Sequence, residues 1–362
     1  MRPWRASRGA LAIYVLVLIY ASLNPFLGWQ LPRAYTLLLW PKYITLFDVF
    51  INVLAYAPLG ALLASLFRRR LMALRPPYPR LLAFISALLM SAFVSIALEF
   101  AQSFLPDRIS SPLDVISNSS GAVIGAMLVM LPIGRVLIAA IVRWRGAHFA
   151  HRASTSWGIL LLAVWFTAQL NPAIPFFEAG LMSPTNLANI DPALNTKIGA
   201  YDPLVLLPQA VGVALNVCAF ALFVSLILHP KKRVLLNIGV VMVVGAIAKL
   251  TMAALLLKAP LIAASLSPAT VIGLTSGLLF FLLFSRIGYR WRAFWATLFV
   301  FAGGVMTKLS SVYSALDETL KLFNWPYGQL ANFTSLTRWL NEIWPLAALL
   351  FLATIFIRTK RH

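Results

Sequence analysis

Leu46-Phe-Asp48-Val-Phe-Ile-Asn52-Val-Leu-Ala-Tyr56-Ala-Pro58-Leu-Gly60-Ala-Leu-Leu-Ala-Ser-Leu-Phe67, closed by Arg68-Arg69-Arg70, decides the fold of this chain. Between Asp48 and Arg68 no charged side chain interrupts the run. At 1.5 Å per residue, residues 46–67 make a helix of about 33 Å, enough to cross the roughly 30 Å hydrocarbon core of a bilayer. Similar runs recur along the chain, which is 61% hydrophobic and only 11% charged, with a mean hydropathy of +0.86. The expected fold is an all-α polytopic transmembrane bundle of about ten spans, near residues 9–27, 46–67, 81–105, 113–132, 157–171, 205–228, 234–257, 261–285, 293–307 and 343–357.

The segments between these spans alternate in charge. One side receives Arg2, Arg5 and Arg8; Arg68, Arg69, Arg70, Arg75 and Arg80; and Arg135, Arg143, Arg145 and Arg152. It also receives Lys231, Lys232 and Arg233; Arg286, Arg290 and Arg292; and Arg358, Lys360 and Arg361, making 21 of the 30 basic residues. By the positive-inside rule that side is cytoplasmic, and so are both termini. The formal net charge of +20 is then an orientation signal beside anionic headgroups, and no nucleic-acid partner is expected. Arg2, Arg5 and Arg8 before an apolar run resemble a secretory leader, but the run is long and no small-residue cleavage pattern closes it. The one cysteine, Cys218, excludes an intrachain disulfide. His148, His151, His229 and His362 stand in or beside basic segments without ligand spacing, so no metal or cofactor is expected. Trp4, Trp29, Trp40, Trp144, Trp157, Trp325, Trp339 and Trp344 fall near span ends, as interfacial anchors do.

An internal similarity divides the chain. Leu23-Asn24-Pro25 and Leu170-Asn171-Pro172 each end a span, Asn52-Val53 leads to Arg68 as Asn216-Val217 leads to Lys231, and Ser111–Gly121 resembles Ser267–Gly277. Two parallel four-helix repeats, residues 1–145 and 146–290, followed by a C-terminal hairpin over 291–362, are the expected domains. Thr270 and Leu274 stand where the first copy has Asp114 and Asn118, so the polar side chains belong to the first copy. Lys249, alone inside a span, is either a counter-ion for them or a snorkelling side chain.

Those polar side chains form the candidate site. Asp48, Asn52, Glu99, Gln102, Arg108, Asp114 and Asn118 fall at one depth of three apolar helices, and Glu99, 19 residues beyond Arg80, lies about 28 Å along its helix, near the outer surface. Charges near hydrocarbon cost several kcal/mol unless paired or hydrated, so such a cluster points to function. Asp114, Asn118, Gly121 and Gly125 share one helical stripe, with glycines permitting close contact below a polar head. Capping offers a structural account of Asp48 and Asp114, each in a first turn, with Ser110 or Ser111 as a cap before Asp114. For Glu99, on the stripe Ser91, Ser95, Glu99, Gln102, the structural account is pairing with Arg108 across a short turn; left without that partner, Glu99 is a candidate proton acceptor. Asp107 reads as a solvated loop residue.

Asp48 and Asn52 ahead of Ala57-Pro58-Leu59-Gly60, the Leu98-Glu99-Phe100-Ala101-Gln102 helix end, and Arg108 followed by Asp114, Asn118, Gly121 and Gly125 together resemble a VanZ-like domain over residues 10–135. The resemblance implies a multi-pass protein of the bacterial inner membrane with a role in the cell envelope, of the kind associated with low-level resistance to the glycopeptide teicoplanin. Two features depart from the pattern: the chain is much longer than the domain, and a single Asp114 stands where paired acids are common.

Three functions follow. The first is an envelope protein that binds an anionic or lipid-linked ligand at the outer leaflet, its partners being membrane lipids and lipid-linked cell-envelope precursors. Arg108 would contact the ligand, with Glu99, Asp114, Asn118 and Asn52 shaping the pocket. The second is an enzyme acting on a lipid-linked phosphate, with Asp48, Glu99 and Asp114 holding a divalent cation. The third is a proton-coupled transporter using Glu99. Outer segments 172–204 and 308–342 are either a lid or connections, and Leu336, Trp339, Leu340 and Ile343 have the spacing of an interfacial helix.

Overall fold

The computed structural model describes residues 3–24, 26, 28–31, 40, 44–106, 108, 110–152, 154–174, 177, 203–229, 234–257, 268–310 and 329–358. Among these residues the chain is helical, without strands. The helices are α1 (Pro3–Leu23), α2 (Leu46–Leu74), α3 (Pro79–Gln102), α4 (Pro112–Met130), α5 (Pro132–His148), α6 (Thr155–Gln169), α7 (Pro203–Ile227), α8 (Val234–Leu256), α9 (Pro268–Phe284), α10 (Tyr289–Ser310) and α11 (Gln329–Arg358). A helix stands at each place where a span is expected. Those over Leu46–Leu74, Pro79–Gln102, Pro112–Met130, Leu207–Ile227, Val234–Leu256 and Phe333–Arg358 are long and apolar enough to cross a membrane.

The helices fall into two compact units, Met1–Trp144 with Tyr327–Phe333, and Arg145–Pro326 with Thr334–His362. In the first unit, local chemistry sets the helix ends. Thr45 caps α2, its hydroxyl accepting from the Asp48 amide at 3.1 Å, and Ser111 caps α4 by accepting from the Leu113 amide at 3.1 Å. Pro79 and Pro112 open α3 and α4, where a missing amide hydrogen costs nothing. Helices α2 and α4 meet backbone to backbone: a Cβ at Gly60 would overlap the Ala122 carbonyl, one at Gly121 the Val53 carbonyl, and one at Gly125 the Ala57 carbonyl. Where lipid removes the hydrophobic drive between helices, such close approach is what holds them together.

The second unit is built around α7, buried along nearly its whole length. Phe220 stacks on Trp165 with ring centroids 4.0 Å apart, and Phe223 meets Trp344 and Phe351 edge to face at 5.9 and 5.5 Å. Gly273 and Gly277 bring α9 onto Val213 and Val217 of α7. Lys249 of α8 is 2% exposed and donates to the carbonyls of Gln169 (3.5 Å), Asn171 (2.9 Å) and Ile174. Burial rules out snorkelling, and these acceptors lie at the carboxyl end of α6, where exposed carbonyls attract a cation.

Three local expectations change. Residues 132–148, read as a basic connector, form α5, which exposes Ile133, Leu137, Ile141 and Trp144 beside Arg143 and Arg145. These apolar positions recur at i, i+4, i+8 and i+11, the mark of a helix lying in the interface. Helix α11 runs unbroken through Pro345, so Leu336, Trp339, Leu340 and Ile343 belong to one long helix. Trp344 is 5% exposed, its indole donating to the Leu161 carbonyl at 2.8 Å, and is a core side chain. Asp107, the middle of segment 172–204 and most of 308–328 lie outside the described residues.

Replacing Gly121 or Gly125 by Val is expected to cost about 1–3 kcal/mol through overpacking, read as a lower unfolding midpoint in detergent. Gly239→Ala, with nothing within 4 Å of its new Cβ, is expected to be neutral or slightly stabilising. Lys249→Met leaves several buried carbonyls without their donor and is expected to destabilise the chain by about 1–3 kcal/mol; an unchanged midpoint would contradict the capping role.

Candidate functional site

In the first unit the amino ends of α2 and α4 meet the carboxyl end of α3, which brings the side chains of Asp48, Asn52, Glu99, Asp114 and Asn118 to one level. Asp48 and Asn52 are one turn apart on α2, Asp114 and Asn118 one turn apart on α4, so each helix presents an acid above an amide. The Asn52 amide donates to Asp114 Oδ1 at 2.7 Å, tying α2 to α4 directly above the Val53–Gly121 contact. One turn further along α4, Asn118 Nδ2 donates to Ser95 Oγ of α3 at 2.9 Å. One turn further along α3, Glu99 Oε2 accepts from the Ser111 amide at 3.1 Å. Glu99 thus serves as a cap on the first turn of α4, where free amides favour an anion.

The electrostatics are acidic. Glu99 lies close enough to Asp114 for their charges to interact, and Asp114 is in the same relation to Asp48. Tyr56, 3% exposed and not singled out by the sequence reading, neighbours Ser95, Glu99 and Asp114 from α2. Its place was legible as one turn beyond Asn52 on the same helical face. Glu99 (3% exposed) and Asn118 (4%) are buried, while Asp48 and Asp114 are partly exposed. Two buried acceptor-bearing groups, Asn118 Oδ1 and Ser91 Oγ, have no hydrogen-bond partner, which burial makes costly.

Gln102 and Arg108 stand apart from this arrangement in role. Gln102 Nε2 donates to the Ser22 carbonyl at 3.1 Å, and Arg108 Nη2 donates to the Asn24 carbonyl. Both therefore secure the carboxyl end of α1, and a backbone bond from Gln30 to the Phe104 carbonyl at 2.9 Å binds the same segment to the end of α3. Pairing of Glu99 with Arg108 is not how Glu99 is held: no ion pair joins them, and the Ser111 amide occupies Glu99 instead. Among the described residues no three acidic, His or Cys side chains converge to hold a metal, because Asp114 is drawn to Asn52 and Glu99 to the first turn of α4.

The chain's apolar helices and this cluster define a multi-pass membrane protein with a polar site at one level of a helical unit. Residues 5–135 match the family model VanZ/LLP1, so the amino-terminal part of the chain is a VanZ-like membrane domain. No curated protein and no solved structure matches the chain. The matched segment contains all seven candidate residues.

A double-mutant cycle on Asn52→Ala and Asp114→Ala is expected to give a coupling of about 1.5–3 kcal/mol, the range for a hydrogen bond to a charged group. Additive effects on unfolding would mean that the 2.7 Å contact does not hold the two helices.

Proposed function

We propose that this VanZ-like protein resides in the bacterial cytoplasmic membrane, with both termini cytoplasmic, and binds a lipid-linked envelope ligand at the outer face of its amino-terminal unit. The observation that carries this reading is an excess of acceptors: buried Glu99, the partly exposed Asp114 with which its charge interacts, and the buried, unpartnered Asn118 Oδ1 one turn below Asp114 on α4. A ligand that satisfies them brings donors, such as the hydroxyls or ammonium of a sugar or peptide headgroup. Arg108 at the rim, anchored on Asn24, supplies positive charge for a phosphate or carboxylate in the same headgroup. A hydroxyl-rich headgroup carrying a phosphate on an apolar tail is the chemistry of lipid-linked envelope precursors, which fits a glycopeptide-resistance role suggested by family resemblance.

The ten-span, two-repeat architecture is part of the same proposal. It is supported by equivalent packing in each unit: Gly121 on Val53 and Gly277 on Val217 place one glycine beside the residue that follows Asn52 or Asn216. Proton-coupled transport through Glu99 is the second reading, favoured by a carboxylate 3% exposed beside another acid.

Purified chain in nanodiscs, titrated with extracted lipid-linked precursors, is the direct test. Glu99→Ala and Asn118→Leu are expected to weaken binding roughly tenfold or more each, as loss of a charge-assisted or buried hydrogen bond implies. Arg108→Lys, which keeps the charge but not the fork, is expected to give a smaller loss. Folded variants that bind like the wild type would refute the proposal, and proton-driven uptake into liposomes lost in Glu99→Gln would favour transport.

A further inference from the structure

A groove of about 340 Å³ opens between α1, α2 and α3, on the basic half of the first unit and away from the carboxylate cluster. Helix α2 forms its floor with Leu59, Leu63, Leu66 and Arg70, at i, i+4, i+7 and i+11, a single helical stripe. Leu11 and Val15 of α1 make one wall, and Met90 and Val94 of α3 the other. Every lining side chain is apolar except Arg70, and no acid is among them.

Its dimensions select the occupant. From Leu59 to Arg70 is eleven residues, about 16 Å of helix, which is half of a hydrocarbon core of roughly 30 Å, or one leaflet. Another transmembrane helix, about 10–12 Å across with its side chains, is too wide for so small a volume. A single extended chain suits it. The three arginines that close α2 are not equivalent: Arg68 reaches α4 and donates to the Val129 carbonyl at 3.3 Å, Arg69 is exposed outside the groove, and Arg70 stands at the groove's polar end.

We propose that this groove is a binding site for an anionic phospholipid, one acyl chain lying along Leu59, Leu63 and Leu66 and the phosphate resting on Arg70. The guanidinium fork matches phosphate oxygens two at a time, and no acid lines the groove to hold the cation of a zwitterionic headgroup. With the orientation proposed above, the lipid belongs to the cytoplasmic leaflet. The site itself does not depend on that orientation or on the outer cluster, so it stands or falls separately.

The test uses the full chain in nanodiscs holding equal phosphatidylglycerol and phosphatidylcholine of matched acyl chains, followed by native mass spectrometry of the released protein. The wild type is expected to retain one phosphatidylglycerol in preference to phosphatidylcholine. Arg70→Gln is expected to lower that retention about fivefold or more, as loss of one surface cation implies, while Arg69→Gln leaves it near the wild-type level. Met90→Trp or Val94→Phe, which fill the groove, are expected to abolish retention of both lipids, with an unfolding midpoint confirming that each variant is folded. Excess inorganic phosphate is expected not to displace the lipid, since the chain supplies much of the affinity. Equal retention of the two lipids by the wild type, undiminished retention in Arg70→Gln, or an equal loss in Arg69→Gln would overturn the proposal.

Discussion

The contact of α2 with α4 through Gly60, Gly121 and Gly125 governs the amino-terminal unit. Without side chains at these points the two backbones approach until carbonyl meets Cα, and this fixes the level at which every other residue of the pair must sit. Asn52 and Asp114 then come within 2.7 Å. A wider separation would leave the buried Asn52 amide without its acceptor, a costly loss. The small residues and the polar residues are therefore two parts of one device: packing sets the distance, and the hydrogen bond sets the register along the helix axis.

Helix α3 completes the device by packing against both α2 and α4. Its polar stripe is read out at successive turns as Ser95 to Asn118 and Glu99 to the Ser111 amide. Tyr56 reaches the same level from α2. Glu99 has two claims on it, as a cap for the first turn of α4 and as a neighbour of Asp114. An amide hydrogen bond satisfies one oxygen of a carboxylate that accepts several, so a structural role leaves room for a ligand.

Much of this was legible in the sequence. The run ending in Arg68-Arg69-Arg70 identified a spanning helix, the i, i+4 pairs Asp48/Asn52 and Asp114/Asn118 placed acids above amides, and Gly121 and Gly125 marked the contact face. Partners were not legible. Glu99 and Arg108 are opposite charges nine residues apart, and charge alone pairs them; the structure instead gives Glu99 a backbone amide and Arg108 a backbone carbonyl, groups that carry no sequence signal. Helix α5 was hidden because its arginines, counted for orientation, masked an apolar repeat at Ile133, Leu137, Ile141 and Trp144. Trp344 was assigned to an interface by residue type, whereas the Phe220 and Phe223 rings of α7 make that position core.

The two Leu-Asn-Pro corners show how one sequence motif creates a need that different residues meet. A helix that stops before proline within an apolar unit leaves its last carbonyls without helical partners. In the first unit those of Ser22 and Asn24 receive Gln102 and Arg108. In the second, the carbonyls of Gln169, Asn171 and Ile174 receive the single ammonium of Lys249. Each solution places a cation at the carboxyl end of a helix, where the backbone dipole favours it. The first draws its cation from a short loop beside the acidic cluster, the second from the middle of α8. Arg108 is thereby ordered by the same structural need as Lys249, a helix end whose carbonyls lack helical donors.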